Sequence, residues 1–237
     1  MIADKSPPLF KKILVLANSR KLSGRCIAGV ELDEDWRPLG WVRPVSGREH
    51  GEVSEYERQY SHGSHPDVLD VVQVPLVKHV PETYQSENWL IDNGAYWEFV
   101  WGFGITELSP LVDSRDLWAA SSSSTRYGLN DRIPKSDADK LRDSLRLIHV
   151  DSLRYRVFAP SEDYGNENLR VQAIFSWCGH NYRVFVTDPI VEREYLAHGR
   201  GFHDIGAAFL TVSLGEPYND YCYRLVAAVF AEAGGDR

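Results

Sequence analysis

The chain has 237 residues, 43% of them apolar and 12% aromatic, with 26 basic and 34 acidic side chains giving a net charge of −8. That apolar content supports one large domain or two compact ones and excludes a globally disordered chain. The acidic balance excludes a whole-surface attraction to phosphate backbones, so any nucleic-acid site must be a local basic patch.

Lys5, Lys11, Lys12, Arg20, Lys21 and Arg25 supply such a patch, because residues 5–25 hold them without one Asp or Glu after position 4. The acids Glu31, Asp33, Glu34 and Asp35 follow at once. Within this stretch residues 13–17 form a continuous apolar run that reads as a strand buried on both faces. The run is too short for a signal-peptide core of about 7–15 residues, and no run approaches the ~18 apolar residues of a membrane span. Residues 18–24 form a polar, basic turn. Residues 25–32 alternate as a second strand, with Cys26, Ala28, Val30 and Leu32 on one face and Gly29 marking a bulge or a sharp barrel bend. A short strand over 39–43 ends at Pro44.

Residues 45–67 read as a long excursion with one helical turn near 55–60. A strand follows over 71–80, where Pro75 argues for an edge or bulge position. Residues 96–103 alternate so that Trp97, Phe99, Trp101 and Phe103 share a face, either as a stacking platform or as core, which is what such alternation usually reports. Periodicity then breaks over 105–135, which carries the Ser121–Ser124 run. Ser136, Asp137 and Asp139 start a short helix expected to reach about Arg146. The second half offers strands over 154–158, 169–178, 181–188, 209–214 and 222–230, with a helix over 190–198 between the third and fourth. That is the element order of an OB barrel, a five-stranded Greek-key barrel.

The fold class expected is therefore mainly β, two OB-like barrels with a few short helices. The lobes are placed at 1–110 and 141–237, joined by a connection over 111–140. Three scattered cysteines, Cys26, Cys178 and Cys222, make no disulfide framework and fit a reducing compartment. A soluble, cytoplasmic protein with no membrane partner is expected.

Residues 169–188 read as a hairpin turning at Gly179-His180, a type II′ turn with Gly in the first central position. That register sets Ser176 opposite Arg183 and Ile174 opposite Phe185. One face is wholly apolar and must be core. The other carries Arg170, Gln172, Ser176, Arg183 and Thr187 around Ile174 and Phe185, either as a solvated outer face or as the strand 2–3 surface on which OB barrels bind oligonucleotides. In the first half, Ser19, Arg20, Lys21, Ser23 and Arg25 form a loop suited to gripping phosphates, although without P-loop spacing. Trp41 and Arg43 share a strand face, as a base-stacking and phosphate-binding pair or as a structural cation–π pair. His50, His62, His65, Asp67, His198, His203 and the Cys178–His180 tip match no metal-ligand spacing, so no metal and no cofactor are expected. No nucleophile motif is present and catalytic residues are expected to be none.

The runs KILVLANSRKLSGRCIAGVEL and GWVRPVS, then Thr187-Asp188-Pro189 and LTVSLGEP…CYRLVA, resemble the dual OB-containing family of prokaryotes, found in conflict and phage-defence gene neighbourhoods. The positions that carry the resemblance are Asn18, Ser19, Arg20, Lys21, Gly24, Arg25, Trp41, Arg43 and Pro44, with Thr187, Asp188, Ser213 and Leu214 later. The resemblance implies two OB-like barrels and nucleic-acid sensing within a defence system, with a partner protein of the defence complex as a further expected contact. Three functions remain open on the residues. They are a non-catalytic module binding single-stranded or exposed nucleic acid, an adaptor binding a protein, and an enzyme on nucleotides or nucleic acid using His and Asp.

Overall fold

The computed structural model describes residues 9–232, so Lys5 of the basic run lies outside the described residues. The chain divides into two compact units, Met1–Phe103 and Gly104–Arg237, and both are mainly β.

In the first unit the strands are β1 (Leu9–Lys21), β2 (Gly24–Leu32), β3 (Pro38–Val45), β4 (Asp70–His79), β5 (Asn88–Ile91) and β6 (Glu98–Gly102). They pair in the order β1-β2-β3-β5-β4, and β4 returns to β1, closing a five-stranded barrel in which β3 and β5 run parallel. Its interior is filled by Ile13, Val15, Ile27, Val42, Val72, Val74, Leu76 and Ile91, with Trp97 beneath. Closure demands a bend in β1, and a bulge at Leu16 provides it where Val15 faces Gly29 and Ala17 faces Ala28. A Cβ at Gly29 would stand 2.1 Å from the Leu14 carbonyl oxygen, which is why glycine occupies this position. Pro75 falls where the partner of β4 changes from β6, which pairs as far as Gln73, to β5, which pairs from Leu76. A missing N–H costs no ladder bond at that changeover.

The short strand β5 had no periodic signal, and the aromatic alternation after it misleads. Only Trp97 is core, whereas Phe99 and Trp101 are 53% and 60% exposed. The strand β6 is an addition on β4 outside the closed barrel, so its alternation reports no buried face.

The second unit contains β7 (Arg132–Pro134), α1 (Lys135–Ala138), β8 (Leu145–Phe158), β9 (Arg170–Trp177), β10 (His180–Val186), α2 (Pro189–His198), β11 (Gly201–Tyr218) and β12 (Tyr221–Ala231). The circuit β8-β9-β10-β12-β11-β8 repeats the first barrel's topology, including the parallel pair β10–β12. The helix α2 sits between the third and fourth strands, as the sequence pattern required. Thr187-Asp188-Pro189 is its start signal. The Asp188 carboxylate accepts from the Ile190 N–H at 3.0 Å, Pro189 opens the first turn, and the second carboxylate oxygen accepts from Val229 N–H at 3.2 Å. Such a cap contributes about 1 kcal/mol.

The helix expected to reach Arg146 is a single turn, Lys135–Ala138. From Leu145 the residues alternate again and pair with β11 along its length, so the long ladder outweighs the capping signal. The stretch 111–134 packs on the second unit instead of spanning free. Arg224 of β12, 1% exposed, gathers it by donating to the carbonyls of Leu117 (2.6 Å), Trp118 (2.6 Å), Asn130 (2.9 Å) and Arg132 (3.2 Å) and to the Ser122 hydroxyl (2.9 Å). Among the described residues no helix is long and apolar enough to cross a membrane.

Candidate nucleic-acid interface

The second barrel's hairpin turns at Cys178-Gly179, one residue earlier than expected. Both residues have positive φ, 48° and 76°, which makes a type I′ turn in place of type II′. The Trp177 indole N–H donates to the Arg115 carbonyl at 2.8 Å, and the Cys178 thiol donates to Ser114 at 3.5 Å, holding the tip from outside. Burial, with Asp116 and Asp113 nearby, pushes the Cys178 thiol pKa up, which disfavours a thiolate ligand. The register moves by two residues in sum, so Ile174 faces Arg183, Gln172 faces Phe185 and Ser176 faces Asn181. An even shift preserves the faces. Arg170, Gln172, Ile174, Ser176, Arg183 and Phe185 therefore share the outer surface as expected.

β8 extends this surface with residues the sequence reading did not select. Arg154 pairs with Ile174, Arg156 with Gln172, and Phe158 with Arg170. Two rows result, Arg154–Ile174–Arg183 and Arg156–Gln172–Phe185. Phe158 stacks on Phe185 at 6.2 Å and 13°, Arg156 lies 4.0 Å from the Phe158 ring, and Arg170 lies 4.8 Å from the Phe185 ring. The alternation of Arg154, Arg156 and Phe158 by twos was the available signal.

Part of this surface is roofed by the unit's own chain. Leu129 exchanges backbone hydrogen bonds with Arg183 at 2.9 and 3.1 Å, and Tyr127 packs on Phe158 with its carbonyl accepting from Gln172 Nε2 at 3.1 Å. Gln172 is accordingly closed off, with none of its surface exposed. A turn braced by Asp131, which accepts from Thr125 N–H at 2.8 Å and the Thr125 hydroxyl at 2.6 Å, holds the roof in shape. Beside the roof remains an open cleft of about 380 Å³, at the small end of ligand sites of about 300–1,000 Å³. Ile174 floors it, Arg154 and Arg183 flank it, and Ser152, Ser176, Asn181 and Asp151 line its rim. Arg154 pairs with Asp204. The Arg183 guanidinium makes no hydrogen bond or ion pair with the described residues.

In the first barrel the expected residues separate. Arg20 and Arg25 are direct cross-strand partners in the β1–β2 hairpin, and Lys21 faces Gly24 at its tip. Ser19 is buried and its hydroxyl donates to the Cys26 carbonyl at 3.4 Å. Arg25 has the parity of Ile27, an interior residue, whereas Trp41 and Arg43 flank the interior residue Val42 and so lie on the opposite face. Arg43 is 4% exposed and pairs with Glu87 at 3.0 Å and with the Asn88 side-chain oxygen at 3.4 Å, which makes it a structural cation. The basic hairpin and the Trp41–Arg43 strand are therefore not one surface.

The histidines scatter. His62 contacts the Ser64 hydroxyl at 2.6 Å, and His198 and His203 join Tyr195 in a ring cluster. Among the described residues no group of three or more His, Cys, Asp or Glu side chains is placed to hold a metal ion.

No curated protein matches the chain. The family of the dual OB-containing domain matches it over residues 11–229, nearly the whole length and both barrels. With two closed five-stranded barrels of one topology, the chain belongs to the dual OB-containing domain family.

Proposed function

We propose that this protein binds single-stranded nucleic acid on the outer β8–β9–β10 surface of its second barrel, as a non-catalytic sensing module. The observation that carries the reading is the Arg154–Ile174–Arg183 row beside the cleft, on the strand 2–3 surface by which OB barrels take oligonucleotides. Arg183 and Arg156 neutralise phosphates, Ile174 takes the face of a base, and Ser176 and Asn181 read its edge. The narrow cleft and the roof over Gln172 suit one unstacked strand better than a duplex. The setting proposed with it is a prokaryotic defence system, a reading that the family resemblance supports. The test is fluorescence anisotropy with labelled single-stranded and duplex oligonucleotides across salt concentrations. Arg183→Ala and Arg156→Ala should each reduce the salt slope by about one unit. Absence of binding at low salt by the folded protein would sink the proposal.

One observation favours a second reading, a protein-binding adaptor. Tyr96, Phe99 and Trp101 are all more than half exposed on and beside the edge strand β6, exposed aromatic surface of the kind that partners cover.

A further inference from the structure

At the mouth of the first barrel Arg25 and Arg58 have few acceptors among the described residues. Along β1 the interior parity runs Ile13, Val15 and, past the Leu16 bulge, Asn18 and Arg20; along β2 it runs Gly29, Ile27 and Arg25. Arg20 and Arg25 thus continue the barrel's inner face beyond its core, directly opposite each other.

The connection from β3 to β4 folds over this end. Val53 exchanges two backbone hydrogen bonds with Arg25, both 2.9 Å, and the Asn18 side-chain amide donates to the Pro66 carbonyl at 3.0 Å. Between these ties the connection places Arg58 and His65. Arg58 is 5% exposed, yet its ion pair is Glu55 at 3.7 Å, beyond hydrogen-bond length, and the Glu55 side chain is 82% exposed. Its buried Nε has no hydrogen-bond partner among the described residues, and neither has the buried Nδ1 of His65. The Arg25 guanidinium makes no hydrogen bond or ion pair with them either. Burial, and then repulsion from Arg25, push the Arg58 pKa down, opposed by Glu55 and Asp67. Burial and Arg58 push His65 down in the same way, so its ring is held neutral. Native proteins seldom bury a guanidinium this poorly satisfied, and such exceptions concentrate at ligand sites.

We propose that Arg25, Arg58 and His65 form a binding site for a phosphate monoester, the phosphate of a free nucleotide or of an oligonucleotide end. The two guanidinium groups match a group carrying between one and two negative charges near neutral pH, and the His65 Nδ1–H supplies a further donor. A monoester fits better than a diester because Arg25 continues the inner face and the connection that carries Arg58 folds over it. A terminal group reaches that position, whereas a continuous strand passes along an outer face. Of the two acids near the site, Glu55 and Asp67, only Glu55 pairs with Arg58, and loosely, so a phosphate oxygen replaces it there. This site belongs to the first barrel and stands or falls independently of the surface proposed on the second.

The experiment is calorimetric titration of the full chain with inorganic phosphate, a nucleoside 5′-monophosphate, the matching nucleoside, and a short oligonucleotide with and without a 5′-phosphate. The monophosphate should bind at least about tenfold more tightly than the nucleoside, the effect of one or more charge-assisted contacts. Arg25→Ala should abolish that difference. It is the safer variant, since Arg25 is half-exposed, and Arg58→Lys tests the buried partner with the charge kept. Arg183→Ala, in the other barrel, should leave the difference intact. A gain seen in the oligonucleotide pair alone assigns the site to a chain end, and tight binding of inorganic phosphate alone assigns it to the free anion. Equal binding of nucleotide and nucleoside, or a difference that survives Arg25→Ala in a folded protein, would overturn the proposal.

Discussion

Replacing Arg224 with Met should unfasten the roof over the second barrel's outer surface. The guanidinium makes five hydrogen bonds, four of them to carbonyls of the 117–132 stretch. Hydrogen bonds to a charged group contribute about 1.5–3 kcal/mol each, so five sum to roughly 8–15 kcal/mol. Against this stands the desolvation of the buried cation, several kcal/mol. Burial, opposed by Tyr182, Asp131 and Asp116, lowers its pKa to about 10, which still leaves it charged at neutral pH. Methionine keeps the apolar stem and relieves that desolvation, so the net loss should be about 3–5 kcal/mol, the range for a broken buried ionic network. The loss should be local first, because the four carbonyls belong to one segment. Hydrogen exchange should accelerate at Leu129 and Arg183, whose amides close the roof, before it does in β8 or β11. Chemical denaturation measures the total, and limited proteolysis between 118 and 131 reads the segment. A variant within about 1 kcal/mol of the parent, with exchange at Leu129 unchanged, would refute the reasoning.

Gly29→Ala should cost about 3 kcal/mol or more by denaturant titration, because its Cβ meets the backbone oxygen of Leu14 and no side chain is there to yield. Cys178→Asn should be neutral or stabilising by up to about 1 kcal/mol, since Asn tolerates the 48° φ of a type I′ turn better than Cys does. Acid should weaken the second unit through Asp113. Burial acts to raise its pKa, but hydrogen bonds from Arg115 and the charge of Arg146 outweigh it, and the net shift is downward. A depressed carboxylate stabilises the fold above its unfolded pKa of about 4 and loses that contribution as pH falls through the folded value. Asp113→Asn should therefore flatten the acid limb of a stability-against-pH curve. Asp70 has the opposite sign, since burial raises its pKa, and Asp70→Asn should leave that limb steeper or unchanged.

The second barrel was readable because its strands carry period-two alternation and its helix carries a proline-plus-aspartate start. Even the misplaced hairpin turn preserved the outer surface, since a shift of two residues cannot exchange faces. The 111–134 stretch was not readable. Its position depends on Arg224, about a hundred residues later in the chain, and no local pattern reports such a contact. The same holds for Arg58 and His65, which lie in an aperiodic connection and acquire meaning only when Val53 and Pro66 tie that connection to β2 and β1. The aromatic run at 97–103 misled for a related reason: alternation implies one shared face, but it reports neither the register shift between Phe99 and Trp101 nor that the strand lies outside the closed barrel.

One barrel topology occurs twice, and the outward residues of its second strand decide what each copy can bind. In β2 those residues are Ala28, Val30 and Leu32, all buried, and on the adjoining β3 the outward Arg43 is consumed by Glu87. The strand 2–3 surface of the first barrel is therefore closed along β2 and open only toward Leu39 and Trp41 of β3. What the barrel also leaves accessible is the mouth, where interior parity runs out into Arg20 and Arg25. In β9 the corresponding outward residues are Arg170, Gln172, Ile174 and Ser176, facing Arg183 and Phe185, and this surface stays partly open. Changing outward apolar positions to polar ones moves the ligand-accessible region from the mouth of a barrel to its side without altering the interior. A double substitution tests the point. Ile174→Ala with Arg183→Ala should remove strand binding in anisotropy, while the far-ultraviolet spectrum and the unfolding midpoint remain within the usual scatter of surface changes, about 0.5 kcal/mol each. A folded double variant that keeps full affinity would show that the side surface of the second barrel is not where the strand lies.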